Sequence, residues 1–306
     1  MTQKTAVLLL AHGSPESPAD VPAFMNYITG GRPVPEAVIE EVRHRYSLIG
    51  KSPLTEITLA QGEALQREVG LPVYVGMRNW KPFVADAVRR MSADGVEHVL
   101  AVCLAPQNSS TSVGLYRKAL LAELKPEISV RFVESWHDHP PLVRAFAEKL
   151  EAVWRRACNQ AGAPVPVIFT AHSVPTRTIQ AGDPYQQQTK ETARLVGQSV
   201  AALAPDLQHF AFQSQGMSGG PWLGPTVEGV MIEIKKQGHK GVVIAPIGFV
   251  CDHVEVLYDV DIGFRQFANE QQLQLWRTES LNTSPTFISA LADLASARLG
   301  VTGSAG

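Results

Sequence analysis

The chain has 306 residues, of which 45% are apolar and 18% charged, and its formal net charge is −2. That length suits two ordinary domains, and the composition is globular rather than disordered. The charge balance excludes bulk attraction to nucleic acid, and no apolar run reaches the roughly 18 residues that span a bilayer.

Residues 1–13 read MTQKTAVLLLAHG, one lysine and a short apolar run. The run leads straight into Gly-Ser-Pro, so it reads as a first strand and not as a secretion leader; a cytoplasmic location is expected. Residues 6–15, AVLLLAHGSP, return half a chain later as VPVIFTAHSVP at 165–175. In both, an apolar run stops at Ala-His-x-x-Pro, which places His12 and His172 on the carboxyl rims of buried parallel strands, where ligands bind in open α/β folds.

The repeat continues. Residues 94–102 and 237–245 each close a helix with Gly95 or Gly238 and run into a short buried strand. ESWHDHPPLVRAFAEKL from Glu134 resembles ESLNTSPTFISALADL from Glu279. The offset shrinks after the first pair, so the first half carries an insertion near its start, best placed in 30–54. Helical periodicity appears over 82–92, 142–158, 189–203 and 226–237. Strand and helix alternate, which predicts an α/β fold of two similar Rossmann-like domains with parallel sheets and a cleft between them. Their boundary is expected in NQAGAPVP at 159–166, giving domains 1–160 and 161–306, with the last helix able to pack back on the first.

Cys103, Cys158 and Cys251 are the three cysteines. Their wide spacing predicts neither a disulfide framework nor an iron–sulfur cluster. Gly182-Asp183-Pro184-Tyr185 is a turn that can fix the loop after His172. Gln213-Ser214-Gln215-Gly216 follows an apolar run, and Pro221-Trp222-Leu223-Gly224-Pro225 makes a rigid loop.

The second chemical cluster is GFVCDHVEVLYDVD at 248–261. If it is helical, Glu255 and Asp259 share a face at i and i+4, with Asp252 three residues before Glu255. A helix dipole accounts for Asp252 but poorly for Asp259. Carboxylates stacked on a cleft suit a divalent metal or a proton path. His172 with Glu255 makes a mixed nitrogen and oxygen site, compatible with Fe(II) and other first-row ions.

These motifs, together with RYSLIGKSPL at 45–54 and GMRNWKPF at 76–83, resemble ferrochelatases over essentially the whole chain. The resemblance implies insertion of Fe(II), as a substrate, into a porphyrin of haem synthesis, with no prosthetic group. It implies that His172 and Glu255 handle metal and protons, and that Asp259 and Asp261 form an acidic path leading away. Arg45, Tyr46, Ser52 and Tyr116 match porphyrin-holding positions. His12 stands where relatives vary and is a candidate ligand for iron in the product. Thr29 replaces an arginine of close relatives, and Asn79 a histidine of some.

The nearest resemblance is to the short branch that uses coproporphyrin III and is monomeric. Four propionates suit a basic cleft, for which Arg32, Arg43, Arg45 and Lys51 are available; protoporphyrin IX is the alternative substrate. Two rival readings are a cobalt or nickel chelatase of a related tetrapyrrole and a non-catalytic porphyrin-binding protein.

Overall fold

The computed structural model describes residues 4–216 and 219–300. Each half of the chain builds one parallel sheet. In the first, β1 (Thr5–Ala11) lies between β2 (Val73–Met77) and β3 (His98–Cys103), with β4 (Ser129–Val133) outside β3. In the second, β5 (Val167–His172) lies between β6 (Gln208–Gln213) and β7 (Gly241–Pro246), with β8 (Gln274–Arg277) outside β7. Every ladder is parallel. β1 and β5 are paired on both edges and buried along nearly their whole length, which is why each reads as an unbroken apolar run.

In each sheet the chain passes over its central strand, from β2 to β3 and from β6 to β7. The carboxyl ends of β1 and β5 are therefore topological switch points. His12 follows β1 and His172 closes β5, so both copies of the repeated motif set their histidine at a switch point.

The helices of the first part are α1 (Val21–Thr29), α2 (Glu36–Ile49), α3 (Leu54–Val69), α4 (Val84–Ala93), α5 (Val113–Glu123) and α6 (Pro140–Ala161). Those of the second are α7 (Thr176–Gln180), α8 (Tyr185–Ser199), α9 (Val227–Lys236), α10 (Val254–Leu257), α11 (Arg265–Glu270) and α12 (Pro285–Leu299). The two long outer helices change sides. α6 packs on α8 and the second sheet, while α12 packs on α3 and α6. Trp136 stacks on Phe287 with ring centroids 6.3 Å apart. Ser289 donates to Glu68 at 2.7 Å, and the Gln61 amide donates to the Asn282 carbonyl at 2.8 Å. Apolar faces of both sheets thus join one core. The linker at 159–166 and the change of packing partner do not coincide, because α6 precedes the linker yet rests on the second sheet.

The segment 30–54 contains α2, which lies beside α1. Tyr46 of α2 packs with Val21 and Met25 in a small cluster that also takes in Val254 of α10. That contact carries α2 across to the second half and closes one side of the cleft.

Candidate active site

The second half supplies a carboxylate set between two imidazoles. His172 donates its Nδ1 proton to the Ser173 carbonyl; since a carbonyl only accepts, the neutral ring keeps its lone pair on Nε2. That Nε2 lies 3.5 Å from Glu255 Oε1. The other carboxylate oxygen lies 3.6 Å from His253 Nε2, and His253 Nδ1 donates to the Cys251 carbonyl at 3.1 Å. Burial pushes the Glu255 carboxyl up. His172 and His253, once protonated, and the more distant His12 outweigh it and hold the group below the usual carboxylate range.

Local sequence explains this geometry. Gly248 opens the loop after β7, and a Cβ there would stand 2.9 Å from Ala171 Cα, so only glycine lets this loop lie against the end of β5. Gln213, buried at the end of β6, accepts from Thr170 Oγ1 at 2.6 Å and donates to the Glu255 carbonyl at 3.0 Å. The Tyr185 hydroxyl donates to the His172 carbonyl at 3.0 Å. Asp183 of the same motif accepts from Ser110 N at 2.7 Å and from Tyr185 N at 3.1 Å, tying the two halves together. The Trp222 ring meets His172 edge-on at 6.4 Å.

The two further acids have different partners. α10 is a single turn, and the chain continues as a π-helix over Asp259–Phe264. The backbone between Glu255 and Asp259 stays right-handed, with Tyr258 N–H bonded to the Val254 carbonyl at 2.7 Å, and the wider turn begins only beyond Asp259, where Gly263 N–H is bonded to the Tyr258 carbonyl at 2.9 Å. Asp259 accepts from Ser214 Oγ, and Arg45 reaches it at 3.7 Å. Burial raises its pKa; the Ser214 bond opposes this, Glu255 adds to it and Arg45 opposes it. Asp261 is gripped by Arg277 through Nε at 2.8 Å and a second guanidinium nitrogen at 2.9 Å, and Arg277 also approaches Asp252 at 3.4 Å.

The first half supplies the facing wall. His12 donates from Nδ1 to the Gly13 carbonyl at 2.9 Å, and Asn79 Nδ2 lies 3.0 Å from its Nε2. Loss of hydration in the cleft lowers the His12 pKa, and Arg78 lowers it further against the pull of the Gly13 carbonyl and Glu255. Tyr116 and Tyr46 are buried, and burial raises both phenols. Tyr46 shares a hydrogen bond of 3.0 Å with Ser14. Ser52 is buried with no hydrogen-bond partner among the described residues. Arg45 bonds Glu41 at 2.9 Å and lies 5.1 Å from the Tyr258 ring centroid. Arg78 has no carboxylate partner among the described residues.

The structure thus gathers His12, His172, Glu255 and Tyr116 around one cleft, with Arg45 and Asp259 paired beside it. It gives Asp261 a partner of its own. Sequence reading quoted the segments that hold His253, Asn79, Gln213 and Arg78 but gave none of the four a role in the site. The signal for His253 is its place two residues before Glu255, and that for Gln213 its place at the end of an apolar strand. Among the described residues no group of three or more His, Cys, Asp or Glu side chains is arranged to hold a metal alone, and no helix is long and apolar enough to cross a membrane.

Comparison with known proteins follows the same lines. A sequence model of the ferrochelatase family matches residues 4–299. A ferrochelatase of Acidobacterium capsulatum is 51% identical over 98% of this chain and 96% of its own. A coproporphyrin III ferrochelatase of Geobacillus sp. is 35% identical, covering 97% and 98%. Among solved structures, SirB from Bacillus subtilis superposes with a TM-score of 0.58 at 11% identity, covering 99% of this chain and 96% of that one. That last likeness shows the fold alone: two parallel-sheet halves of chelatase type. By family match and close identity along its whole length, the chain belongs to the ferrochelatases, which are metal chelatases.

Proposed function

We propose that this enzyme inserts Fe(II) into coproporphyrin III, with His172 as proton acceptor and Glu255 presenting the metal. Metallation must remove two pyrrole N–H protons while a divalent ion arrives. His172 offers an unshared Nε2 lone pair, and the imidazolium formed is stabilised by Glu255 at 3.5 Å. Glu255 stays ionised more readily as the imidazoles of His172 and His253 beside it take up protons. An ion that must be handed on is better served by an incomplete ligand set than by a closed one, and the site offers an incomplete one. Asp259, raised in pKa and bonded to Ser214, is the next proton station. Asp261, locked to Arg277, serves as an anchor for the π-helical segment.

The preference for a tetracarboxylate rests on one observation above all. Thr29 lacks the charge of an arginine, yet Arg32 donates from Nε to the Thr29 carbonyl at 3.0 Å and so brings a guanidinium close to it. Arg78, desolvated and without a carboxylate partner among the described residues, adds a second unmatched cation. The relatives of Geobacillus named for coproporphyrin III point the same way.

A competition tests the substrate: equal amounts of coproporphyrin III and protoporphyrin IX, limiting Fe(II), strict anaerobiosis, products separated by chromatography. Metallated coproporphyrin should dominate. Dominance of metallated protoporphyrin overturns the assignment.

A further inference from the structure

We propose that Asn79 is a positioning residue that caps His12 Nε2 and weakens this histidine's hold on the iron of a metallated porphyrin. The proposal rests on the chelatase reading above. His12 Nδ1 lies 2.9 Å from the Gly13 carbonyl. A carbonyl cannot donate, so the ring proton sits on Nδ1 and Nε2 carries a lone pair. The group facing that lone pair must then be a donor, which identifies the atom 3.0 Å away as the Asn79 amide nitrogen.

The cap is built into the backbone. Asn79 is 2% exposed, and its own N–H is bonded to the His12 carbonyl at 2.9 Å. Arg78 N–H is bonded to the Ala11 carbonyl at 3.0 Å. Gly13 has φ +84°, and a Cβ there would stand 2.7 Å from Trp80 N. The two loops therefore run in close approach, and the amide is fixed to the very residue whose ring it caps.

An imidazole whose Nδ1–H is bonded to a carbonyl is held as metal-binding histidines commonly are, with Nε2 ready to ligate. The ring also lies within electrostatic reach of Glu255, Arg78 and His253 around the cleft. Ligation by Nε2 requires the buried Asn79 N–H to give up its acceptor. Given the net worth of one hydrogen bond, this competition weakens ligation about 2- to 10-fold. The device favours release of product over its retention, without removing the histidine from the cleft.

The test uses Asn79→Leu, which is near-isosteric and lacks the donor, beside wild type and the double variant Asn79→Leu/His12→Phe. In metal-free protein, the His12 Nε2 resonance in nitrogen NMR should move towards that of an unbonded lone pair. With ferric coproporphyrin III, dissociation should slow by about 2- to 10-fold and the absorption bands should shift towards stronger nitrogen ligation. Both effects should vanish in the double variant. Unchanged dissociation and bands in Asn79→Leu overturn the proposal, as does a change that persists without His12. A wild type that binds no porphyrin defeats the chelatase reading instead, while the Nε2 resonance still reports on the cap. Should the leucine variant fail to fold, Asn79→Asp carries the comparison with opposite sign: its carboxylate can only accept, Nε2 must bear a proton, and ligation weakens.

Discussion

His172 Nε2 and Glu255 Oε1 stand 3.5 Å apart although His172 closes β5 and Glu255 lies on α10, beyond the end of β7. The separation is too long for a firm hydrogen bond, yet short enough for the His172 charge to lower the Glu255 pKa. Both side chains are about a third exposed, at 30% and 32%, so the gap opens on the cleft. A proton or an ion can occupy it. Glu255→Gln keeps the shape and removes the charge, and metallation should fall about 100-fold or more. The measurement is kcat at saturating porphyrin; a loss confined to KM would contradict this role.

Acid stability carries the signature of the same carboxylate. The Glu255 pKa is depressed in the folded protein, so its contribution is present above the unfolded value of about 4.3 and is lost as pH falls below it. His12 is also depressed. Folding thus disfavours the charged ring, and its contribution, kept small because the His12 side chain is exposed, is present above the unfolded value of about 6.5 and declines as pH falls. Urea midpoints should drop on acidification below about pH 6.5 and again below about 4.3. His12→Phe should flatten the first region and Glu255→Gln the second. Parallel curves for wild type and variants would refute the assignment.

Gln213 should matter more than its place at the end of β6 suggests. Its amide joins Thr170 of β5 to the Glu255 carbonyl. Gln213→Leu leaves both groups without that partner in buried surroundings, which should cost about 1–3 kcal/mol by denaturant titration. It should also lower kcat with little change in porphyrin affinity, because Glu255 loses its backbone support. Loss of affinity with kcat intact would point to a different role.

Phe287 of α12 is fully buried and stacks on Trp136. Phe287→Ala should cost about 3–5 kcal/mol. Because one core spans both sheets, unfolding should remain a single transition whichever half is observed. Two separated transitions would show that the halves are independent.

The repeated Ala-His-x-x-Pro pattern made the two switch points legible, because a doubly paired strand must be apolar throughout and its first polar residue marks the rim. His172 and Glu255 followed from that logic and from family resemblance. The exchange of α6 and α12 was only half legible: periodicity gives a helix its apolar stripe but not the sheet that will cover it. The π-helix after Tyr258 was not legible, since i+5 bonding leaves no composition mark; nor was the partner of Asp259. The Asn79–His12 bond joins two loops, and neither loop names the other.

The most direct test is a single-turnover, anaerobic addition of Fe(II) to enzyme-bound coproporphyrin III, followed by porphyrin fluorescence, in wild type and His172→Ala. Wild type should lose its porphyrin fluorescence as metal enters. His172→Ala should bind the porphyrin with similar affinity and insert metal at least about 100-fold more slowly. Insertion by His172→Ala at the wild-type rate, or none by wild type, would contradict the account.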